Sequence, residues 1–422
     1  MSSTTSNNKR IAKNTMFLYI RMLFLMFISF FTSRILLREL GVEDYGIYNV
    51  VGSVVAIFSS IQGLLASSTQ RFLNFEHGRG NKDQLKKIFS MSVWIHVGIS
   101  LLFLIIVLPI GLFLIKNYLT IPVNRLTAAY WVFIFSVLSA VVTILTVPYN
   151  AVIIANERMN IFAYISILDG VLRLGVIYLL VHLVFDQLIT YAVLLFCVGL
   201  IIRLINMAYC HRNFNEAKEI AFLWDKKLFF EMSSFAGWQF LGNSGWALQQ
   251  QGLNMILNVF FGPLLNAARG IANQVNRALL LFVNNMMIAV NPQLVKLYAA
   301  EEKKQMFELF FRSSKFSYLL ICCLSMPIFL GTEYILKLWL TIVPDYTTLF
   351  VNLVLVYSSI RVLHAPIDSL LKASGKIKAY QISDFIFLVS SLFFTYMAYK
   401  KNGAPEVMFF IMIVFQLFAT GM

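Results

Sequence analysis

Twelve stretches of membrane-spanning length and apolar character fill most of this chain, which rules out a water-soluble globule. A helix needs about 20 mainly apolar residues to cross a bilayer. Such runs lie near 15–37, 42–65, 88–115, 126–147, 162–181 and 188–208, then near 235–261, 271–290, 316–335, 346–370, 380–399 and 407–422. Composition agrees, with 59% hydrophobic and 13% charged residues, where a soluble domain carries about 25% charged. The fold class that follows is an all-α polytopic membrane protein. Its last run spans only 407–422 and ends the sequence, so the final helix is expected to be truncated.

The twelve runs fall into two sets of six, and polar landmarks recur in the same order in each. Leu40 to Asn49 (LGVEDYGIYN) returns as Phe261 to Asn273 (FGPLLNAARGIAN): an apolar residue, Gly, a spacer, then Gly-Ile-x-Asn. Each lies between two apolar runs, where Gly permits a tight turn and close helix approach. Next comes a polar knot, Ser67-Ser68-Thr69-Gln70 and Asn291-Pro292-Gln293, then a basic segment, NKDQLKK from Asn81 and EEKKQ from Glu301. Pro148 and Pro366 follow, and an aspartate sits inside the next helix of each half, Asp169 and Asp384. Two pseudo-symmetric six-helix bundles are therefore expected. They divide as a cytoplasmic tail over 1–14, a bundle over 15–208, a linker over 209–234 and a second bundle over 235–422. The stretch 66–87 reads as a basic loop or a short surface helix.

Charge sets the orientation. With the amino terminus in the cytoplasm, inner loops hold 21 of the 34 basic residues and outer loops hold seven, Arg38, Lys116, Arg125, Arg269, Lys337, Lys400 and Lys401. That bias satisfies the positive-inside rule, so the net charge of +14 needs no nucleic-acid partner. The first run is too long for a cleaved signal peptide. The four cysteines show no C-x-x-C spacing, and the five histidines show no metal-ligand spacing. No P-loop, G-x-S-x-G or dinucleotide fingerprint is present, and no outer loop is long enough for a catalytic domain, so no enzymatic activity is expected.

Polar groups inside the bilayer are costly and mark pathways. Six arginines lie in the spans, Arg21, Arg34, Arg173, Arg203, Arg277 and Arg361. Arg34 and Arg203 lie near helix ends and are expected to snorkel outward; Arg361 is deepest and is expected to face a cavity. Asp169 and Arg173, four apart, can pair on one helix face; with Asp384 they are candidates for coupling or gating. Gln239, Asn243, Gln250 and Asn254 share one face of the seventh helix, flanked by Gln249 and Gln251. Asn273, Arg277 and Asn284 stripe the eighth. Such amides either bind neighbouring helices or wall a wet cavity, where they suit sugar hydroxyls. His364, Arg361 and Asp368 could make a polar face on the tenth helix. A span surface rich in arginine and poor in acids favours an anionic substrate, because the guanidinium fork matches phosphate oxygens.

SRILLRELGVEDYGIYNVVGSV, SSTQRFLNFEHGRG and VPYNAVIIANERMNIFAYISILDGVLRL resemble polysaccharide-biosynthesis flippases of the Wzx type. These belong to the multidrug/oligosaccharidyl-lipid/polysaccharide exporter superfamily. The resemblance implies a MATE-like arrangement around a V-shaped central cavity. It also implies movement of an undecaprenyl-diphosphate-linked oligosaccharide, such as an O-antigen unit of lipopolysaccharide, across the bacterial inner membrane by alternating access. Arg21, Arg277 and Arg361 are the candidate cavity cations. Coupling to H+ or Na+ is expected, without a cofactor, and membrane lipids and polysaccharide assembly enzymes are the expected partners. The rival reading is a drug or cation antiporter on the same fold, which would want acids at the cavity centre. A membrane glycosyltransferase or polymerase would need carboxylates on large outer loops.

Overall fold

The computed structural model describes the backbone of residues 2–117, 121–182, 186–221, 224–340 and 343–421. Within these, the side chains of 2–8, 29–31, 33–34, 37, 42–43, 45–46, 49–50, 52–65, 181, 263 and 421 lie outside the described set. The chain divides into two compact units, Met1–Ser233 and Ser234–Met422. Thirteen α-helices are described: α1 (Ser2–Arg79), α2 (Lys82–Asn117), α3 (Leu126–Ala155), α4 (Met159–His182), α5 (Gln187–Asn213), α6 (Lys226–Phe261) and α7 (Pro263–Ala299), then α8 (Lys303–Leu330), α9 (Thr332–Trp339), α10 (Thr347–Arg361), α11 (His364–Ser374), α12 (Lys378–Lys400) and α13 (Val407–Gly421). The apolar runs fall in helices, though the ninth, expected over 316–335, is divided at Gly331 between α8 and α9. Two runs share α1, one on each side of a kink at Gly41, and the tenth is divided between α10 and α11. Nine helical segments among the described residues are long and apolar enough to cross a membrane by length and composition.

The repeat is written into the backbone. Gly41 (φ 73, ψ 172) separates the two arms of α1, and Gly262 (φ 80, ψ −175) separates α6 from α7 in nearly the same conformation. A side chain is almost never accommodated there, at a cost of about 1–3 kcal/mol. Left-handed residues also recur, Gly80 with Glu301 and Glu157 with Gly375. The spacings are 221 (41 to 262), 221 (80 to 301) and 218 (157 to 375). At Gly80 the turn closes with two bonds: the Gly80 N–H donates to the His77 carbonyl at 3.3 Å and the Asn81 N–H to Glu76 at 3.2 Å. Glu157 and Glu301 close their helices in the same way. These paired bonds satisfy carbonyls that a helix end leaves open.

Such tight ends shorten the loops expected from sequence. Stretch 66–87 is neither a loop nor a separate surface helix: α1 runs to Arg79 and α2 starts at Lys82. The segment read as a tail is helical from Ser2, and Asn14 is buried, its amide donating to the Glu157 carbonyl at 3.3 Å. Arg10 pairs with the Glu157 carboxylate at 2.8 Å, which holds an acidic residue in the left-handed region. The 209–234 segment is largely helix, the end of α5 and the start of α6.

In the first unit α3 packs on α1, α2 and α5, around fully buried Phe133, Val137 and Val51. In the second, α7 packs on α8, α10 and α11, and α13 on α10 and α12. Large apolar side chains such as Ile105 and Val259 face outward, 70% and 77% exposed. Lipid is as apolar as they are, so burying them would gain little. Close packing and interhelical hydrogen bonds therefore carry more of the stability than in a soluble bundle.

Candidate functional site

Helix α7 begins earlier than its apolar run. Gly262 caps it and Pro263 occupies its first turn, the position where a missing N–H costs nothing. The helix therefore starts at 263 rather than near 271, and Arg269 is carried into the span instead of lying in an outer loop. Arg269 is 0% exposed. One terminal nitrogen donates to the Gln250 carbonyl at 3.1 Å and to the Asn254 side-chain oxygen; the other reaches Gln250 Oε1 at 3.5 Å. Its partners on α6 are all neutral oxygens. Its Nε is buried without a hydrogen-bond partner among the described residues. A buried guanidinium stays charged, so this arrangement is tolerable only because the donors are mostly satisfied.

Arg269 divides the expected amide stripe of α6. Gln250 and Asn254 are taken up in holding it. Gln249 donates to Ser391 Oγ at 2.8 Å, Gln239 is buried with Nε2 unbonded among the described residues, and Asn243 and Gln251 are exposed. On α7, Arg277 is exposed, and its hydrogen bond is to the Asn273 carbonyl of its own helix at 3.3 Å. Asn284 is exposed and Asn273 partly so. Arg277, Asn273 and Asn284 thus present a cation and two amides along one helix.

The tenth run, expected as one helix over 346–370, tightens after Arg361: Val362 and Leu363 keep helical φ/ψ, but Leu363 and Ala365 bond three residues back instead of four. Pro366 has no N–H to give to the Val362 carbonyl four residues back, and its ring crowds that carbonyl. The Ala365 N–H takes it instead at 3.3 Å, and a new helix starts at His364. Arg361 ends α10 and donates to Tyr357 Oη at 3.3 Å and to Gln416 Oε1 of α13 at 3.1 Å. Across this turn, His364 Nε2 lies 2.5 Å from Tyr380 Oη and 4.0 Å from Asp384 Oδ1. The polar face expected of Arg361, His364 and Asp368 is split by the turn, and Asp368 turns to Lys372 at 2.6 Å. None of Arg269, Arg277 and Arg361 makes an ion pair among the described residues.

The first unit treats its arginines differently. Asp169 and Arg173 pair at 2.9 Å on α4. Arg21 reaches Ser166 Oγ at 3.5 Å and lies 4.7 Å over the Phe162 ring. Arg203, partly buried, lies 5.8 Å from the Tyr149 ring, with one terminal nitrogen buried and unbonded among the described residues. Arg34 and the residues Tyr45, Gly46 and Asn49 lie outside the described side chains. Sequence reasoning missed Arg125, which joins three turns. Its Nε donates to Asp44 Oδ1 at 2.8 Å, a terminal nitrogen reaches Asp44 Oδ2, and the other reaches Asp186 Oδ2 at 2.5 Å. Burial pushes the Asp186 carboxyl up, but hydrogen bonds from Arg125 and from backbone amides at α5's start bring it below the ordinary carboxylate range. Glu216 is likewise raised by burial yet ends lowered, because His77 and Asn156 hold its carboxylate. Among the described residues no three or more His, Cys, Asp or Glu side chains converge as a metal site.

Two helical units and spacings near 220 define an all-α, duplicated, multi-pass membrane fold. Solved structures share it. A point mutant of a MATE transporter matches with a TM-score of 0.83 at 12% identity over 98% of this chain and 94% of that one. A multidrug resistance MATE transporter of the MOP superfamily in an outward-facing conformation matches with 0.81, at 12% identity over 98% and 93%. A MOP superfamily transporter from Pyrococcus furiosus, described as having a binding pocket of reverse polarity that suggests a different function, matches with 0.80, at 12% identity over 98% and 93%. No curated protein sequence matches significantly. The polysaccharide biosynthesis protein family matches residues 11–298, and the chain belongs to that family.

Proposed function

We propose that this transporter moves an undecaprenyl-diphosphate-linked oligosaccharide across the bacterial inner membrane, with its amino terminus in the cytoplasm. The carrying observation is Arg277, an exposed guanidinium within a span-length helix whose only hydrogen bond among the described residues goes to its own helix. A cation at such a position is expensive against lipid, so it belongs against water or an anion. Arg361, held by a phenol and an amide, is a second cation without a carboxylate. Diphosphate is the substrate group that a guanidinium fork serves best. Arg277 and Arg361 of the second unit bind it, and Arg21 is the first unit's own candidate anion contact. Gln239, Asn243, Asn273 and Asn284 offer amides to sugar hydroxyls. Gln250 and Asn254 act by holding Arg269. Asp169 with Arg173, and Asp384, are the groups proposed for coupling.

The test is flipping in proteoliposomes that contain the full-length protein and a fluorescent undecaprenyl-diphosphate sugar lipid. We expect transfer of the probe between leaflets and a loss of at least about tenfold in initial rate with Arg277→Gln, the loss of one charge-assisted contact of about 1.4 kcal/mol or more. Transport of a lipophilic cation instead, unaffected by Arg277→Gln, would overturn the proposal in favour of an antiporter.

A further inference from the structure

The groove between α8 and α10 carries groups that the transport reading leaves unused. We propose that it holds an anionic phospholipid of the inner leaflet, its phosphate on Lys315 and one acyl chain running outward between the two helices. The proposal goes beyond the substrate reading and shares with it only the orientation in the membrane.

The groove has a volume of about 530 Å³, within the range of small-molecule sites. Helix α8 runs outward from its basic start at Lys303, and α10 runs back inward to Arg361, so residue order gives depth. Ser314 and Lys315 lie at the inner end, opposite Leu363; Ser359 and Ile360 follow, then Tyr318 and Val356. The Ser314 and Ser359 hydroxyls donate to carbonyls of their own helices, each at 2.9 Å. Their lone pairs remain for the hydroxyls of a headgroup, and the charge is left to Lys315. Lys315 is exposed and stands one residue before the apolar run that begins at 316; Arg312, one turn further in, is exposed too. The ion pairs described in the second unit, Glu333–Lys337, Asp368–Lys372 and His364–Asp384, include neither cation. Glu308, four residues before Arg312, forms no ion pair with it among the described residues.

This order of groups selects the occupant. Phe316, Leu319 and Val356 around the groove are large, apolar and exposed, the character of a face that meets acyl chains. A cation at the inner boundary, then hydroxyls, then apolar walls toward the bilayer centre repeats a phospholipid read from headgroup to tail. The headgroup is anionic because Lys315 and Arg312 have no acid of their own, and basic residues at the cytoplasmic surface attract such lipids. A second copy of the chain fits less well, since a two-fold contact would set this basic face against itself. The site is also separate from the proposed substrate cations. Val356, Ser359 and Ile360 lie roughly 130° around α10 from Tyr357 and Arg361, at about 100° per residue, and Arg361 turns to Gln416 of α13.

The experiment is photocapture, and it needs neither glycan nor transport, so it stands or falls apart from the substrate reading. A phosphatidylglycerol with a diazirine on one acyl chain is added to the purified full-length protein in phosphatidylcholine nanodiscs. Cross-linked peptides are then read by mass spectrometry. Capture should fall on the outer part of the groove, in the peptides that contain Tyr318 and Val356, and a phosphatidylcholine probe should be captured there less. Lys315→Gln should lower phosphatidylglycerol capture about fivefold, the ratio that corresponds to about 1 kcal/mol for one basic residue near the surface. Lys315→Arg keeps the charge and should keep the capture, which separates lost charge from a failure to fold. Val356→Trp should fill the groove and lower capture of both probes. Phosphatidylglycerol capture unchanged by Lys315→Gln, or equal capture of the two lipids, would overturn the proposal. So would cross-links between two copies at this face, or preferential capture of a polyprenyl-phosphate probe.

Discussion

The two units share their backbone landmarks and differ in where arginine meets carboxylate. In Met1–Ser233 three arginines are answered by carboxylates: Arg10 by Glu157, Arg125 by Asp44 and Asp186, and Arg173 by Asp169. In Ser234–Met422 the span arginines 269, 277 and 361 are answered by amides, a phenol and backbone carbonyls. The proline that marks the repeat also diverges. Pro148 sits inside an unbroken α3, whereas Pro366, 218 residues on (148 to 366), lies just past a tightened turn. The lesson is that a duplicated scaffold can keep its backbone landmarks while its two copies partner their charges differently: the printed arginine–carboxylate pairs of the first copy lie at its turns and on α4, and the span arginines of the second are met by neutral groups.

That contrast can be broken most forcefully at Arg269. Gln250→Leu with Asn254→Leu removes the side-chain acceptors of a fully buried cation and should cost about 2–4 kcal/mol, from about 1–3 kcal/mol per stranded group. Thermal unfolding of the purified protein reads this; a change under about 0.5 kcal/mol would mean that the arginine is held by something else. Next in size is Arg125→Ala, at about 1.5–3 kcal/mol for lost charge-assisted bonds to two carboxylates that are only partly buried. Its acid limb has a fixed sign. Asp186 is held below its unfolded value of about 3.9, so its contribution is present above that pH and is lost as pH falls through the lowered folded value. Asp186→Asn should flatten that part of the acid unfolding curve.

The proline comparison is subtler. Pro366→Ala should let the turn between α10 and α11 relax and raise hydrogen-exchange protection at Leu363 and Ala365, while Pro148→Ala should leave α3 continuous and change protection at its neighbours little. Equal responses would show that the turn does not depend on the proline. Smallest of all, Glu301→Gly should stabilise the turn after α7 by about 1 kcal/mol, because Glu301 is exposed at φ 59 where glycine is unstrained. Glu157, tied by Arg10, should gain less from the same change.

Much of this architecture was legible in the sequence. The apolar runs located every helical span, and the order of glycines, prolines and aspartates announced the duplication. Asp169 and Arg173 could be paired because four residues on a helix fix their proximity. What escaped depended on where helices start and stop. Gly262-Pro263 is a start signal, and weighting it above hydrophobicity would have carried Arg269 into α7. Pro366 was noted as a landmark, but its consequence for Val362 and His364 needed the backbone. The Arg125 link to Asp44 and Asp186 had no local signal, since its partners lie 81 and 61 residues away. Tyr380 and Gln416, the partners of His364 and Arg361, escaped for the same reason.

The most direct measurement is equilibrium binding of an undecaprenyl-diphosphate sugar lipid to the full-length protein, compared between two double variants. Arg277→Gln with Arg361→Gln empties the second unit of its exposed and turn-site span arginines. Asp169→Asn with Arg173→Gln dissolves a neutral pair in the first. The account predicts that Kd rises by at least about tenfold in the former, about 1.4 kcal/mol, and by less than about threefold in the latter. Equal weakening in both, or none in the former, would contradict the claim that the second unit holds the anionic headgroup.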